Sequence, residues 1–235
     1  MRQEIQRVET EDGSSTLYDT RLDVHYRSRF GAVTESDHVF VLGTGLPQRS
    51  GPWTVLELGF GGGVNFSRTV RACREKAVAL RYETLEFRPV PPDVIGDGCD
   101  EATQMVRESL QRARSGQVVE VTSGDGAVTL RVHVMHWRSF RATNLGAHAV
   151  FHDPFAPAVN ENSWTPEAFR WAKSHLAEDG ILATYSSARK TRTSMAAAGL
   201  TVVRTDGPGR KRDITYAATT LSALRTWIPR ELRHG

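Results

Sequence analysis

From Trp53 onward, short apolar-rich runs alternate with stretches whose apolar positions recur at helical spacing. That rhythm predicts strands joined by crossover helices. Residues 53–58 read as a strand, followed by a glycine-rich turn and a helix over 64–76. Residues 81–86 read as the next strand, ahead of a proline-rich break and a helix over 100–113. A hairpin is predicted over 118–122 and 128–135, turning at Ser123-Gly124-Asp125-Gly126. Strand 149–152 precedes a helix over 165–176, with Thr165 as cap and Pro166 in its first turn. Strand 181–185, helix 189–198, and strands 201–204 and 214–219 complete the pattern, the last two forming an antiparallel edge hairpin around Pro208. Before Trp53 the chain is more polar, with β-like stretches such as 38–42 and a turn-rich break at 45–52.

The expected fold is therefore α/β, with a mostly parallel, Rossmann-like sheet of seven strands, an antiparallel edge hairpin and a small N-terminal β appendage. The expected divisions are an appendage over 1–50, a main domain over 51–221 and a C-terminal tail over 222–235.

Composition narrows the setting. A chain of 235 residues with 39% hydrophobic and 24% charged positions is ordinary for a globular protein. No apolar run approaches the roughly 20 residues of a membrane span, and the polar start Met1-Arg2-Gln3-Glu4 is not a signal peptide, so a cytoplasmic location is expected. Cys73 and Cys99 lack metal-ligand spacing and read as reduced thiols. His133, His148 and His175 show no ligand spacing either, and no metal is assigned. Only four of the 30 basic residues are lysine. Arginine favours bidentate phosphate contacts, so a net charge of +3 permits a nucleic-acid partner without requiring one.

The chemistry starts at Glu57-Leu58-Gly59-Phe60-Gly61-Gly62-Gly63, where the first strand of the main domain turns into its first helix. Glycines let backbone approach a ligand, and a helix start offers free N–H groups. A dinucleotide site wants a small third residue where Val64 stands. Glu57, Gly59, Gly61 and Gly63 instead follow the pattern E-x-G-x-G-x-G of enzymes that bind S-adenosylmethionine, whose sulfonium and ammonium suit a nearby carboxylate. Glu86, ending the second strand, stands where nucleoside-binding sheets place an acid for the ribose hydroxyls, with Glu83 as its rival.

A second segment, Phe151-His152-Asp153-Pro154-Phe155-Ala156-Pro157, follows the fourth core strand. Its Asp-Pro-Phe resembles the Asp-Pro-Pro-aromatic motif of amino-group methyltransferases. A carboxylate and rigid carbonyls there can orient an acceptor amine for in-line displacement, and Asp153 is the candidate catalytic residue.

Together these segments resemble the methyltransferase domain of the bifunctional bacterial enzyme that completes 5-methylaminomethyl-2-thiouridine at the tRNA wobble position, and its stand-alone relatives. That family's motif reads roughly D-G-F-A-P-x-K-N-P-x-x-W, and Asp153, Phe155, Ala156, Pro157, Asn160 and Trp164 occupy the matching places. The resemblance also takes in Leu17-Tyr18-Asp19, Tyr26-Arg27-Ser28 and Gly207-Pro208-Gly209-Arg210-Lys211-Arg212. It implies a Rossmann-like class I methyltransferase that uses S-adenosylmethionine to methylate the exocyclic aminomethyl nitrogen of a modified wobble uridine in the tRNA anticodon loop. Phe155, Pro157 and Asn160 would then face the substrate, and the FAD-dependent oxidase half is not expected in a chain ending at Gly235.

Four departures bear on substrate: Pro154 for the usual Gly, Val159 for Lys, Glu161 for Pro, and Met135-His136 where the family has Gly-Asp holding the adenine amino group. His136 could accept that N–H as a neutral imidazole. The same departures keep a second function open, methylation of a small-molecule or other amine. Arg210, Lys211 and Arg212 form a basic turn that reads as an RNA contact or a solvated hairpin tip. Tyr26 could cover the cofactor, stack a flipped base, or pack within the appendage. Trp164 reads as a packing residue.

Overall fold

The computed structural model describes residues 4–27, 31–96, 98–208 and 213–228. The chain opens with a three-stranded antiparallel sheet: β1 (Ile5–Glu9), β2 (Ser15–Asp19) and β3 (Val24–His25). The β1–β2 turn closes on Asp12, whose Oδ1 accepts from the Thr10 hydroxyl at 2.7 Å and the Ser14 N–H at 3.0 Å.

The expected strand-like stretch at 38–42 is helical. A short helix α1 (Ala32–Glu35) runs straight into a wide π-type turn, Ser36–Leu42. Val39 and Phe40 are buried against the main core, with the Phe40 ring 5.2 Å from Phe151. Tertiary packing overrides the β-branched bias of the run His38-Val39-Phe40-Val41. The second half of the N-terminal segment is thus built into the main core rather than into a separate β unit.

The main sheet has β4 (Trp53–Leu58), β5 (Leu80–Leu85), β6 (Val118–Thr122), β7 (Val128–His133), β8 (Ala147–His152), β9 (Leu176–Thr184), β10 (Thr201–Asp206) and β11 (Asp213–Ala218). Their order is β10-β11-β9-β8-β4-β5-β7-β6, eight strands rather than the seven expected, because the 118–133 hairpin joins the sheet with both arms. The five central strands are parallel and each edge is an antiparallel hairpin.

Alternate residues of the central strands feed two cores, as the period of a strand requires. Val55, Ala149, Phe151, Ile181 and Ala183 pack with α2 (Val64–Lys76) and α3 (Glu101–Arg112). Leu56, Val150 and Leu182 pack with α4 (Pro166–His175) and α5 (Arg189–Ala197). The tail also carries an unexpected helix, α6 (Leu221–Trp227), capped by Thr220 and tied down where the Trp227 indole N–H donates to Asp179 at 2.9 Å. No helix among the described residues is long and apolar enough to cross a membrane.

The sheet order places the site. The chain leaves β4 toward β5 and β7, then crosses to β8 on the other side, so the crevice between β4 and β8 is a topological switch point, where open α/β sheets bind ligands. Leu58 is in register with Leu85 and His152, and Leu85 with His133. The residues that follow, Gly59, Glu86, His136 and Asp153, therefore emerge along one edge.

Candidate functional site

At that edge lies a cavity of about 400 Å³, within the size range of small-molecule sites. Gly59, Gly61, Glu86, His136, Asp153, Phe155, Asn160 and Tyr26 all line it, as do Arg7, Arg27 and Arg88.

The loop between β4 and α2 owes its shape to its glycines. Gly59 has φ 94°, and a Cβ there would lie 2.6 Å from the Asp153 carbonyl oxygen, so only glycine lets the two segments meet. Gly63 serves packing instead. It caps α2 at φ 73°, a Cβ would meet Val106 at 2.5 Å, and it does not line the cavity. Glu86 braces the loop from β5: Oε2 accepts from the Gly61 N–H at 3.1 Å and Oε1 from the Arg88 N–H at 2.8 Å. Burial raises its pKa. Glu83, its rival, points away and is held by His133 at 2.6 Å and Arg81 at 2.8 Å.

Glu57 stands behind the loop rather than in the cavity. It is fully buried, accepting from the Asn65 amide at 2.8 Å and the Thr84 hydroxyl at 3.1 Å. Direct contact with a cationic ligand is not what this placement offers, because the carboxylate is spent on the neighbouring helix and strand. Burial, then the charge of Asp153, pushes its pKa up to about 8. Asn65 joins the two acids: the same Nδ2 also donates to Asp153 Oδ2 at 3.0 Å, while Oδ1 accepts from the Ser36 hydroxyl at 2.7 Å. Asp153 forms a close ion pair with Arg27, both side chains being almost completely buried.

Above this layer, Tyr26 lies against Gly61 and meets Phe155 edge-on with centroids 4.8 Å apart. Burial raises its pKa, keeping the phenol protonated. Tyr26 thus forms part of the cavity wall, a position compatible with covering a cofactor or stacking a base. The turn after Asp153 is fixed through its carbonyls, the Pro154 oxygen accepting from the Tyr185 hydroxyl at 2.9 Å and the Phe155 oxygen from the Trp164 indole at 2.8 Å. Trp164 is buried, as a packing residue should be. Asn160 accepts from Ser163 at 3.1 Å beside the exposed Val159, and Pro157 stands outside the lining.

His136 lines the cavity beside Trp137. Its Nδ1 accepts from the Arg138 N–H at 3.2 Å, capping a short turn. In the neutral ring the proton then resides on Nε2, which donates. In that tautomer Nε2 offers a donor where an acceptor for the adenine amino group was expected. Burial lowers its pKa, with Arg138 adding to the effect.

Arg210, Lys211 and Arg212 lie outside the described residues. Sequence reasoning missed Arg27 and Asn65. Asn65 left a faint signal, as a polar residue on the buried stripe of α2 that also carries Phe66, Thr69, Val70 and Cys73. Arg27 stands in the Tyr26-Arg27-Ser28 segment of the resemblance, but nothing local marks its pairing with Asp153, which is remote in sequence. Among the described residues no cluster of His, Cys, Asp or Glu has the makings of a metal site.

Residues 98–220, more than half of the chain, match the family model described as S-adenosyl-L-methionine-dependent methyltransferase. The chain is 32% identical over 215 residues to the tRNA 5-methylaminomethyl-2-thiouridine biosynthesis bifunctional protein MnmC of Ralstonia nicotianae, covering 86% of this chain and 33% of that protein. Against the protein of that name from Burkholderia mallei the identity is 31% over 217 residues, covering 80% and 31%. The chain thus spans about a third of the length of these curated relatives. Among solved structures, MNMC2 from Aquifex aeolicus superposes with a TM-score of 0.72 at 23% identity, covering 96% of this chain and 76% of that one. Spermidine synthase from Thermotoga maritima gives 0.54 at 13% identity, covering 98% and 75%. These two likenesses bear on the fold.

Proposed function

The chain belongs to the S-adenosyl-L-methionine-dependent methyltransferases, and from that membership we propose that it methylates the aminomethyl nitrogen of 5-aminomethyl-2-thiouridine at the wobble position of tRNA. The observation that carries this reading is the contact between the glycine loop and the Asp153 turn. Cofactor loop and acceptor segment touch at Gly59 and share one cavity. The relatives named for 5-methylaminomethyl-2-thiouridine biosynthesis supply the substrate class.

The cavity suits the cofactor on its own chemistry. Bare backbone at Gly59, Gly61 and Gly62 admits close approach, and Glu86 offers a carboxylate to ribose hydroxyls at the end of β5. Beyond Glu86, at the end of β7, the His136 Nε2–H is a donor suited to a ring nitrogen of adenine. Tyr26 covers the loop from the appendage. Bound there, the cofactor supplies a sulfonium methyl group. Asp153 accepts a hydrogen bond from the acceptor amine, turns its lone pair toward the methyl carbon, and takes up the proton that the nitrogen sheds. Phe155 and Asn160 flank the acceptor. Exposed Arg7 and Arg88 also line the cavity, which favours a polyanionic acceptor over a small neutral amine.

Acceptor competition tests the reading. Labelled methyl transfer to tRNA bearing the aminomethyl uridine should exceed transfer to the free nucleoside at equal concentration, and should weaken with added salt. Equal, salt-independent rates on the two acceptors would move the reading to a small-molecule amine.

A further inference from the structure

Beneath the cavity, three carboxylates share one guanidinium. Glu35 on α1 and Glu57 at the end of β4 are buried, the side chain of Asp153 after β8 is almost completely so, and Arg27, following β3, is the cation among them within the described residues. One terminal nitrogen of Arg27 pairs with Asp153 Oδ2, and the other lies 4.0 Å from Glu35 Oε1. Asn65 on α2 donates from a single nitrogen to both Glu57 and Asp153. From β5 Tyr82 stands close enough to Glu57 to feel its charge, and beyond β9 Tyr185 feels that of Asp153 while its hydroxyl donates to the Pro154 oxygen. Burial raises the pKa of both phenols, so both stay protonated.

We propose that Arg27 is a positioning residue for the transfer reaction: it keeps the Asp153 carboxylate ionised and fixed at the cavity, where Glu57 would otherwise draw it into sharing a proton. The proposal rests on the role given above to Asp153. Two buried carboxylates joined through one amide nitrogen cannot both stay charged without a cation, because desolvation and mutual repulsion penalise the dianion. Arg27 decides which acid is charged. Its pair with Asp153 leaves Glu57 to carry the proton, and burial already biases Glu57 that way. A protonated Asp153 would donate toward the amine instead of accepting from it, and could not take up its proton.

A second consequence concerns architecture. Arg27 arrives on the N-terminal segment, and its backbone N–H is pinned to Thr16 of β2 at 2.9 Å. That segment therefore supplies part of the charge balance of the reaction site as well as the Tyr26 wall.

The test compares wild type with Arg27→Lys and Arg27→Met by single-turnover methyl transfer across pH, with saturating cofactor. The ratio of variant to wild-type rate is read, since the titration of the acceptor amine cancels in it. For Arg27→Met the ratio should fall about tenfold between about pH 8.5 and pH 6, as Asp153 gains a share of the proton. For Arg27→Lys, which restores the charge, it should stay within about twofold. A pH-independent ratio for Arg27→Met overturns the proposal and leaves Arg27 a structural residue.

Carboxylate NMR of the wild type carries the same test without a variant. Asp153 should remain ionised down to about pH 5, and titration of Asp153 above about pH 6 would contradict the proposal even if Arg27→Met does not fold. Wild type that transfers no methyl group to any amine would instead defeat the reading of function, while the NMR result would still judge Arg27.

Discussion

The carbonyl oxygen of Asp153 and the α-carbon of Gly59 meet so closely that a methyl group on Gly59 would lie 2.6 Å from that oxygen. The β4 and β8 turns are thereby locked together, and the loop cannot shift without moving the acceptor segment. Gly59→Ala adds a steric clash to a φ of 94°. It should cost about 1–3 kcal/mol of stability and weaken cofactor binding at least about tenfold. Thermal melts beside calorimetry with S-adenosylhomocysteine check both effects, and wild-type affinity in the variant would dissolve the link.

Asp153→Asn retains shape and one acceptor oxygen while losing the charge. Transfer per folded molecule should slow by about 10²–10⁴-fold. Because Arg27 loses its close partner and keeps Glu35 at 4.0 Å, stability should also drop, by up to about 3 kcal/mol. Single-turnover rates corrected for the folded fraction separate the two losses. A folded Asn variant with normal turnover would remove Asp153 from the chemistry.

Much of this arrangement is legible in the residue order. The helix at 64–76 and the Thr165-Pro166 start of α4 are marked by local signals, glycine before one and a capping pair before the other. The turns carrying Gly59, Glu86 and Asp153 follow from strands that end in register. What escapes is depth and distance. Spacing alone identifies Glu57 as part of a motif, yet its position behind the loop depends on Asn65 and Thr84. Arg27 meets Asp153 only after the sheet forms. The run 38–42 has the composition of a strand and becomes helical because Phe40 finds Phe151. Helix α6 is short, and Asp179 and Arg49, far away in sequence, hold its Trp227.

His136 gives a prediction about the adenine edge. With Nδ1 occupied and Nε2–H donating, the ring suits an acceptor nitrogen, so the 1-deaza analogue of S-adenosylhomocysteine, which puts C–H in place of the N1 acceptor, should bind about tenfold more weakly than the parent. His136→Asp, which has no proton to donate, should bind the two ligands within about threefold of each other. Calorimetry with both ligands decides. Equal binding of both by the wild type would refute the donor role.

Glu57 makes stability depend on pH with a definite sign. Burial raises its folded-state pKa to about 8, against an ordinary value of 4.5. The folded state therefore holds a proton that the unfolded chain releases. Its contribution is fully present below about pH 4.5 and is lost progressively as pH rises toward about 8. Glu57→Gln removes this dependence, so the melting temperature of the variant should gain on wild type across that window. Parallel curves for the two proteins would show that Glu57 stays ionised.

The central claim is tested most directly by nucleoside analysis. tRNA from a strain lacking its own wobble-uridine methyltransferase is incubated with the protein and methyl-labelled S-adenosylmethionine, digested, and resolved by mass spectrometry. The expected result is conversion of 5-aminomethyl-2-thiouridine to 5-methylaminomethyl-2-thiouridine, with the label on the methyl group of the side-chain nitrogen and its initial rate of appearance at least about 10²-fold lower when Asp153→Asn replaces wild type. Label in a different nucleoside, or in none while free amines are methylated, would contradict it.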